Sequence, residues 1–324
     1  TLYYVSTNPA SFRKLYKYNP SVGTPVQVPE TRTDGSDLPM SLTPLNNKLY
    51  YTSIDPAGLR RLFVYNPDIN TNTLITIHSS GVENPTSLTA LGNNLFFLAN
   101  NSSGAIKLHR YNEQTQTVTT LPQHNGTTTS DSITDLTALD NSLYYISTAA
   151  GVSNLYRYNI ITSQRTVVAT NPNGNFIGFV SGRMNAFNGE LYFVQTSSVP
   201  SGGNFVNVSK IYKFNPGTGT TIPLFNSLIP ADSSEDPQDF YFYQNHLYYS
   251  AAFYSNRNVY KYNPANNTTI RVSNFASNTT SLPRNIIGIG NELFFTAVPV
   301  AFSGQRKLFK YDIPSNVVEQ IPEV

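Results

Sequence analysis

The sequence predicts an all-β fold, a seven-bladed β-propeller with four antiparallel strands per blade, on three observations. A leucine followed by aromatic residues recurs at Leu2, Leu49, Leu95, Leu143, Leu191, Leu247 and Leu293, in steps of 47, 46, 48, 48, 56 and 46 residues. The aromatic of a Tyr-Asn-Pro-like motif recurs independently at Tyr18, Tyr65, Tyr111, Tyr158, Phe214, Tyr262 and Tyr311, in steps of 47, 46, 47, 56, 48 and 49. Between these landmarks no useful length of chain has a helical apolar period. Four short strands every ~40–50 residues mark a propeller blade, because a lone four-stranded sheet cannot cover both of its faces.

Each element of a blade has its own signal. Strand A is a short apolar run: residues 41–45, 87–91, 135–139, 183–187, 239–243 and 285–289. A turn follows, such as Asn46-Asn47, Gly92-Asn93 or Asn188-Gly189. These residue types tolerate the positive φ of a tight hairpin. Strand B is the leucine-aromatic run, and its paired aromatics suit a strand that is covered on both faces. Strand C ends in the Tyr-Asn-Pro-like motif. Strand D is rich in Thr, Val and Ile, as in 72–77 and 165–169. The blades fall at about 1–30, 38–78, 84–122, 132–170, 180–225, 236–273 and 283–322, in a single domain over 1–324. The first blade starts inside strand B and lacks the innermost strand. The expectation is three strands there, or a fourth supplied by an upstream piece or a partner.

Composition narrows the function. Only 12% of the 324 residues are charged and the formal net charge is +2, which gives no basic patch for nucleic acid. There is no cysteine, so disulfides, thiolate metal sites and cysteine nucleophiles are excluded. No apolar run approaches the ~20 residues of a membrane span. Low charge with abundant Asn, Ser and Thr suits an exported bacterial protein. No signal peptide is present, and the opening LYYVST reads as a processed or trimmed start.

The stretches NKLYYTSIDPAGLRRLFVYN (47–66) and NELFFTAVPVAFSGQRKLFKYD (291–312) resemble extracellular bacterial propellers whose repeats read "ELYFTA…ELWKYD". Such repeats are common in secreted and surface proteins of Bacteroidetes and cyanobacteria. The resemblance covers the whole chain as a repeat pattern. It departs at the tryptophan of the second half, which here is Tyr or Phe. It implies a secreted or surface-attached binding or adhesion module, often within a larger protein, and it carries no catalytic residues over.

In a propeller the connections into strand A ring one mouth of the central channel. Nine of the chain's 19 carboxylates fall in these segments. The expected ligand-binding residues are Asp37, Ser41, Ser87, Asp131, Asp135, Arg183, Asp236, Asp239, Arg284 and Asn285. They read as a polar, partly acidic pocket for a sugar, a peptide or a cation. The same residue types also make turns and cap strands on a solvated face. Calcium would take six to eight oxygen ligands, but no D-x-D-x-D spacing is present, so no cofactor is expected. Basic residues gather on strand C and its approach, 15 of 21. One slot reads Lys17, Val64, Arg110, Arg157, Lys213, Lys261 and Lys310. It is either a basic girdle for an anionic polysaccharide or a set of long stems that cover aromatic rings.

Catalysis finds little support. His78, His109, His124 and His246 sit at unrelated places in their repeats, and no nucleophile elbow or phosphate loop occurs. The chain is therefore expected not to be an enzyme. Three functions follow as expectations. One is a non-enzymatic secreted or cell-surface module that binds carbohydrate or a protein. Another is a docking subunit of a bacterial envelope assembly. The third is a polysaccharide-active hydrolase or lyase.

Overall fold

The computed structural model describes residues 1–79, 81–122, 128–149, 152–168, 176–224, 233–253, 256–275, 282–298 and 305–322. No helix occurs among them. The chain divides into two compact units, Thr1–Val167 and Val168–Val324.

The first unit holds four antiparallel sheets. Sheet 1 contains β1 (Leu2–Thr7), β2 (Arg13–Tyr18) and β3 (Pro25–Gln27). Sheet 2 contains β4 (Met40–Leu45), β5 (Lys48–Ile54), β6 (Arg60–Asn66) and β7 (Thr71–Ile75). Sheet 3 contains β8 (Thr86–Leu91), β9 (Asn94–Asn100), β10 (Ile106–Asn112) and β11 (Thr117–Thr120). Sheet 4 contains β12 (Ile133–Leu139), β13 (Ser142–Ala149), β14 (Val152–Asn159) and β15 (Gln164–Val167).

The second unit holds three. Sheet 5 contains β16 (Phe176–Phe187), β17 (Glu190–Ser201), β18 (Asn204–Asn215) and β19 (Thr220–Pro223). Sheet 6 contains β20 (Gln238–Tyr243), β21 (His246–Phe253), β22 (Asn256–Asn263) and β23 (Thr268–Arg271). Sheet 7 contains β24 (Arg284–Ile289), β25 (Glu292–Ala297), β26 (Lys307–Asp312) and β27 (Val317–Gln320). Strands pair in chain order within every sheet. Sheet 1 has three strands among the described residues.

The aromatic doublet of the second strand explains the packing. Successive side chains of a strand point to opposite faces. Leu49 and Tyr51 therefore face Leu15 and Val28 of sheet 1, while Tyr50 faces Leu95, Phe97 and Tyr111 of sheet 3. In the second unit Tyr249 faces Tyr192 and Ile211, and Tyr248 faces Leu293, Phe295 and Tyr311. Sheets 2 and 6 thus each bury one aromatic on each side. The 56-residue step has a plain cause: β17 and β18 are 12 residues each and form one long hairpin. Its tip, Gly202-Gly203, has both residues at positive φ, 56° and 86°. β16 is likewise 12 residues long where five were expected, and it absorbs two register shifts. Residues 225–232 lie outside the described residues, and the chain over 226–240 reads in the sequence as a long loop.

Candidate functional site at the lead-in to the inner strands

The inner strands share one backbone device. β4, β8, β12, β20 and β24 each carry a register shift, between Met40 and Thr43, Thr86 and Thr89, Thr134 and Thr137, Gln238 and Tyr241, and Arg284 and Ile287. At each shift one residue is left-handed: Ser41, Ser87, Asp135, Asp239 and Asn285, with φ between 54° and 58°. An Asp or Asn tolerates that conformation better than a bulky residue does. The polar residue type at the first position of strand A therefore has a backbone reason. In the first unit the shift leaves a carbonyl to satisfy. The Thr43 hydroxyl meets Ser41 O at 3.0 Å, and the Thr89 hydroxyl meets Ser87 O at 3.4 Å. The same hydroxyls reach Leu88 O at 3.4 Å and Leu136 O at 3.3 Å in the next sheet.

Four residues before four of the five left-handed positions the chain places an acid, at Asp37, Glu83, Asp131 and Glu235. All four are buried. Each pairs with a base on the strand of the preceding sheet that carries the Tyr-Asn-Pro-like motif, β2, β6, β10 and β18. Lys14 lies 2.8 Å from Asp37, Arg61 3.2 Å from Glu83, Lys107 2.7 Å from Asp131, and Lys210 3.6 Å from Glu235. The acid's backbone also joins the two sheets. Asp37 N–H donates to Arg13 O at 3.0 Å, and Asp37 O accepts from Ile54 N–H at 2.8 Å. Glu235 repeats this with Ser209 O at 3.0 Å and Ala252 N–H at 2.7 Å. The neighbouring serine adds a third link, since Ser36, Ser130 and Ser234 Oγ accept from Arg13, Ile106 and Ser209 N–H. Burial pushes the Glu235 carboxyl up to about 7, against the lowering effect of Lys210.

A different cluster occurs in the second unit. Arg183 Nη1 donates to Asp236 Oδ1 at 2.8 Å and to Pro237 O at 2.7 Å. Arg257 Nη2 donates to Asp236 Oδ2, and Arg257 Nη1 donates to Asp236 O at 2.7 Å. Gln238 Nε2 adds a bond to Asp236 Oδ2 at 2.9 Å. Burial alone would raise the Asp236 carboxyl, but the Arg183 hydrogen bond and the Arg257 charge outweigh it and hold it low. Arg257 is 8% exposed, Arg183 21% and Asp236 46%. Asp239 Oδ2 accepts from Ser250 Oγ at 3.3 Å beside this cluster. The Nε and Nη2 of Arg183 have no partner among the described residues. The open edge of its guanidinium is the edge that grips a carboxylate bidentately.

The expected site residues therefore separate. Asp37 and Asp131 do not line a solvated mouth; they are buried ion-pair members, because a lysine four residues before the strand C aromatic needs them. Arg183 and Asp236 are brought together. Ser41, Ser87 and Asp135 lie on adjacent inner strands of the first unit, as Arg183, Asp239 and Asn285 do in the second. Ser41, Ser87, Asp239, Arg284 and Asn285 are exposed, while Asp135 is half-buried with Oδ2 unpartnered. The sequence reading missed Lys14, Lys107, Lys210 and Arg257 as partners. The signal was available in the joint recurrence of a base and a Ser-acid pair at fixed offsets. In the basic slot Lys17 Nζ lies 5.3 Å from the Tyr65 ring centre, while Lys213 and Lys310 pair with Glu190 and Glu292. Among the described residues no three His, Asp or Glu side chains converge to hold a metal, and no helix is long and apolar enough to cross a membrane. His124 and Asp232 lie outside the described residues.

No family profile and no curated protein matches the sequence. Solved structures do match in fold. Dipeptidyl peptidase 4 from Porphyromonas gingivalis has a TM-score of 0.62 at 11% identity, over 98% of this chain and 51% of its own. The β-propeller domain of the Trilobed protease from Pyrococcus furiosus, which has an open velcro topology, scores 0.53 at 9% identity, over 99% and 93%. Oligogalacturonate lyase from Vibrio parahaemolyticus scores 0.52 at 10% identity, over 98% and 84%. The chain spans about half the length of the dipeptidyl peptidase. These neighbours correct one expectation. They are propellers of peptidases and of a lyase, so the non-enzymatic surface-binding or adhesion reading is withdrawn. The fold is that of the β-propeller proteins, all-β with seven antiparallel sheets.

Proposed function

We propose that this chain is the substrate-handling propeller of a peptide- or oligosaccharide-cleaving enzyme, and that it grips a substrate carboxylate through Arg183. The single observation behind this is the half-open guanidinium of Arg183. Asp236 takes only Nη1, and buried Arg257 neutralises Asp236 from beneath. An incoming carboxylate can occupy the Nε and Nη2 edge without unpairing any buried charge. Peptides end in a carboxylate and oligogalacturonates carry one on each sugar, so the chemistry suits what the neighbours' names say they act on. The chain itself supplies binding and orientation rather than catalytic groups in this reading. Its cysteine-free, low-charge composition supports an exported setting, with a carboxylate-bearing partner rather than nucleic acid.

The test is calorimetric titration with a trigalacturonate and with a free tripeptide, each beside its methyl ester. Binding of the acid form, weakened about tenfold or more by esterification and by Arg183→Gln, is the expected result. Equal binding of acid and ester, or binding indifferent to Arg183→Gln, overturns the proposal. So does a failure of both acids to bind. The trigalacturonate and tripeptide arms separate the two substrate classes.

A further inference from the structure

In sheets 1, 3 and 5 a Ser-acid pair ties off the outer edge of the strand that carries the Tyr-Asn-Pro-like motif. Arg13, Ile106 and Ser209 each donate N–H to the serine, and each gives its carbonyl to the N–H of the acid. Arg13 and Ile106 are the first residues of β2 and β10, but Ser209 is the sixth of β18. Residues 204–208 therefore run beyond the tie, as about 17 Å of strand. β17 pairs with one side of them in unbroken register, from Asn204 opposite Ser201 to Val208 opposite Ser197. β19 pairs only with residues 212–215 of β18, so no described strand pairs with the other side of 204–208.

The backbone groups of a strand point alternately to its two sides. Ser209 turns its N–H and carbonyl outward, to Ser234 and Glu235. Phe205 and Asn207 share that parity, so their N–H and carbonyl groups point outward too. None of these four groups has a partner among the described residues. Phe205 is 69% exposed, and Asn207 is exposed as well. The stretch NFVNV (204–208) has no charge, no proline and no register shift. Charges, prolines and bulges are what keep an edge strand from pairing with another chain.

A second copy of the same edge is complementary to it. With a two-fold axis between Val206 and its copy, Phe205 of each chain lies opposite Asn207 of the other. Every outward N–H and carbonyl then sits in a hydrogen-bonded pair. No like charges meet, and the two Phe205 side chains fall on a diagonal of about 7–8 Å, within reach of each other. We propose that the chain forms a two-fold dimer through the outer edge of β18 at 204–208, the two edges joining as antiparallel strands. The contact does not rest on the carboxylate reading, since Arg183 lies on β16, at the opposite edge of the sheet.

The test is sedimentation velocity of the full chain over about a hundredfold range of concentration, ending near 1 mM. A mean mass that rises from monomer toward dimer is expected, weak and reversible because the shared edge is short. Asn207→Pro removes an outward donor without touching the β17 ladder, a place where an edge strand tolerates proline. Phe205→Lys sets like charges on the diagonal. Each should weaken dimerisation about tenfold or more and leave the unfolding midpoint of the dilute protein unchanged. Position 206 gives a second readout. Across the axis it forms a non-hydrogen-bonded pair with Cα atoms about 4.5 Å apart, within disulfide range. The chain has no cysteine, so Val206→Cys carries a single thiol. Under air oxidation it should give a covalent dimer, while Ile161→Cys, at a position 71% exposed, should not. A monomer over the whole range, a dimer unmoved by both Asn207→Pro and Phe205→Lys, or equal cross-linking at the two cysteines overturns the proposal.

Discussion

The lead-in to β12 and the lead-in to β20 follow one plan and differ in side-chain length. In the first, Asp131 meets Lys107 at 2.7 Å, and its carbonyl takes the Ser147 hydroxyl at 2.7 Å. In the second, Glu235 N–H donates to Ser209 O as Asp131 N–H does to Ile106 O, but its carboxylate stands 3.6 Å from Lys210 and Oε1 has no hydrogen-bond partner. One extra methylene carries the charge past its donor. The inner strands repeat the lesson. Thr89 links β8 to Leu136 of β12 through a short hydroxyl. At the equivalent position of β20, Tyr241 reaches across with its phenol oxygen and accepts from Gly288 N–H at 3.0 Å. Beside that bond, a Cβ on Gly288 would stand 2.5 Å from the ring of Tyr243, two residues on from Tyr241. At these lead-ins Asp131 and Thr89 are short side chains with satisfied bonds, whereas Glu235 is a longer one that leaves an oxygen bare.

The largest expected effect comes from breaking the short clamp. Asp131→Ala leaves Lys107, 0% exposed, as a buried charge without its carboxylate. A loss of about 3–5 kcal/mol is expected, read as the shift of the urea unfolding midpoint. A loss below about 1 kcal/mol would show that the Asp131 clamp contributes no more than a surface pair.

Gly288→Ala attacks the long-armed version. The new methyl group must displace Tyr243, whose hydroxyl donates to Gly290 O at 2.8 Å. The expected loss is about 2–3 kcal/mol. Adding Tyr243→Leu should recover part of it if the clash is the cause. No recovery would place the cost in the backbone instead.

Glu235 allows a test by pH. Burial raises its carboxyl from an ordinary 4.5 to about 7 in the folded chain. A raised carboxyl contributes stability that is complete below about pH 4.5 and is lost as pH rises through 7. Glu235→Gln should abolish this loss and be the more stable form at pH 8, by about 2 kcal/mol. Parallel pH profiles for the two proteins would show that Lys210 holds the carboxylate charged after all.

Much of this architecture was legible in the sequence, and the reason is physical. A strand covered on both faces must repeat its apolar residues, so Leu49, Tyr50 and Tyr51 announce themselves. A tight hairpin must repeat residues that accept positive φ, so Asn46 and Asn47 do too. The site was less legible. Ser41 and Asp135 read as ligand groups, because polar residues at a mouth look alike whether they serve a ligand or a left-handed backbone. Asp37 and Asp131 read as exposed, because the lysine that buries each of them is 23 and 24 residues earlier. The Arg183–Asp236 pair spans 53 residues and breaks the repeat, so no periodic signal points to it.

The smallest expected effect tests the short link between inner strands. Thr89→Val keeps the shape and the β-branch but removes the hydroxyl that serves Ser87 O and Leu136 O. Both carbonyls are near solvent, so water can replace part of what is lost. The expected cost is about 1 kcal/mol. Tyr241→Phe removes the corresponding acceptor in the second unit and takes from the Gly288 N–H its partner at 3.0 Å. It should cost more than Thr89→Val in the same urea titration. If the two losses are equal, side-chain length does not distinguish the units, and the contrast between them reduces to the Glu235 clamp alone.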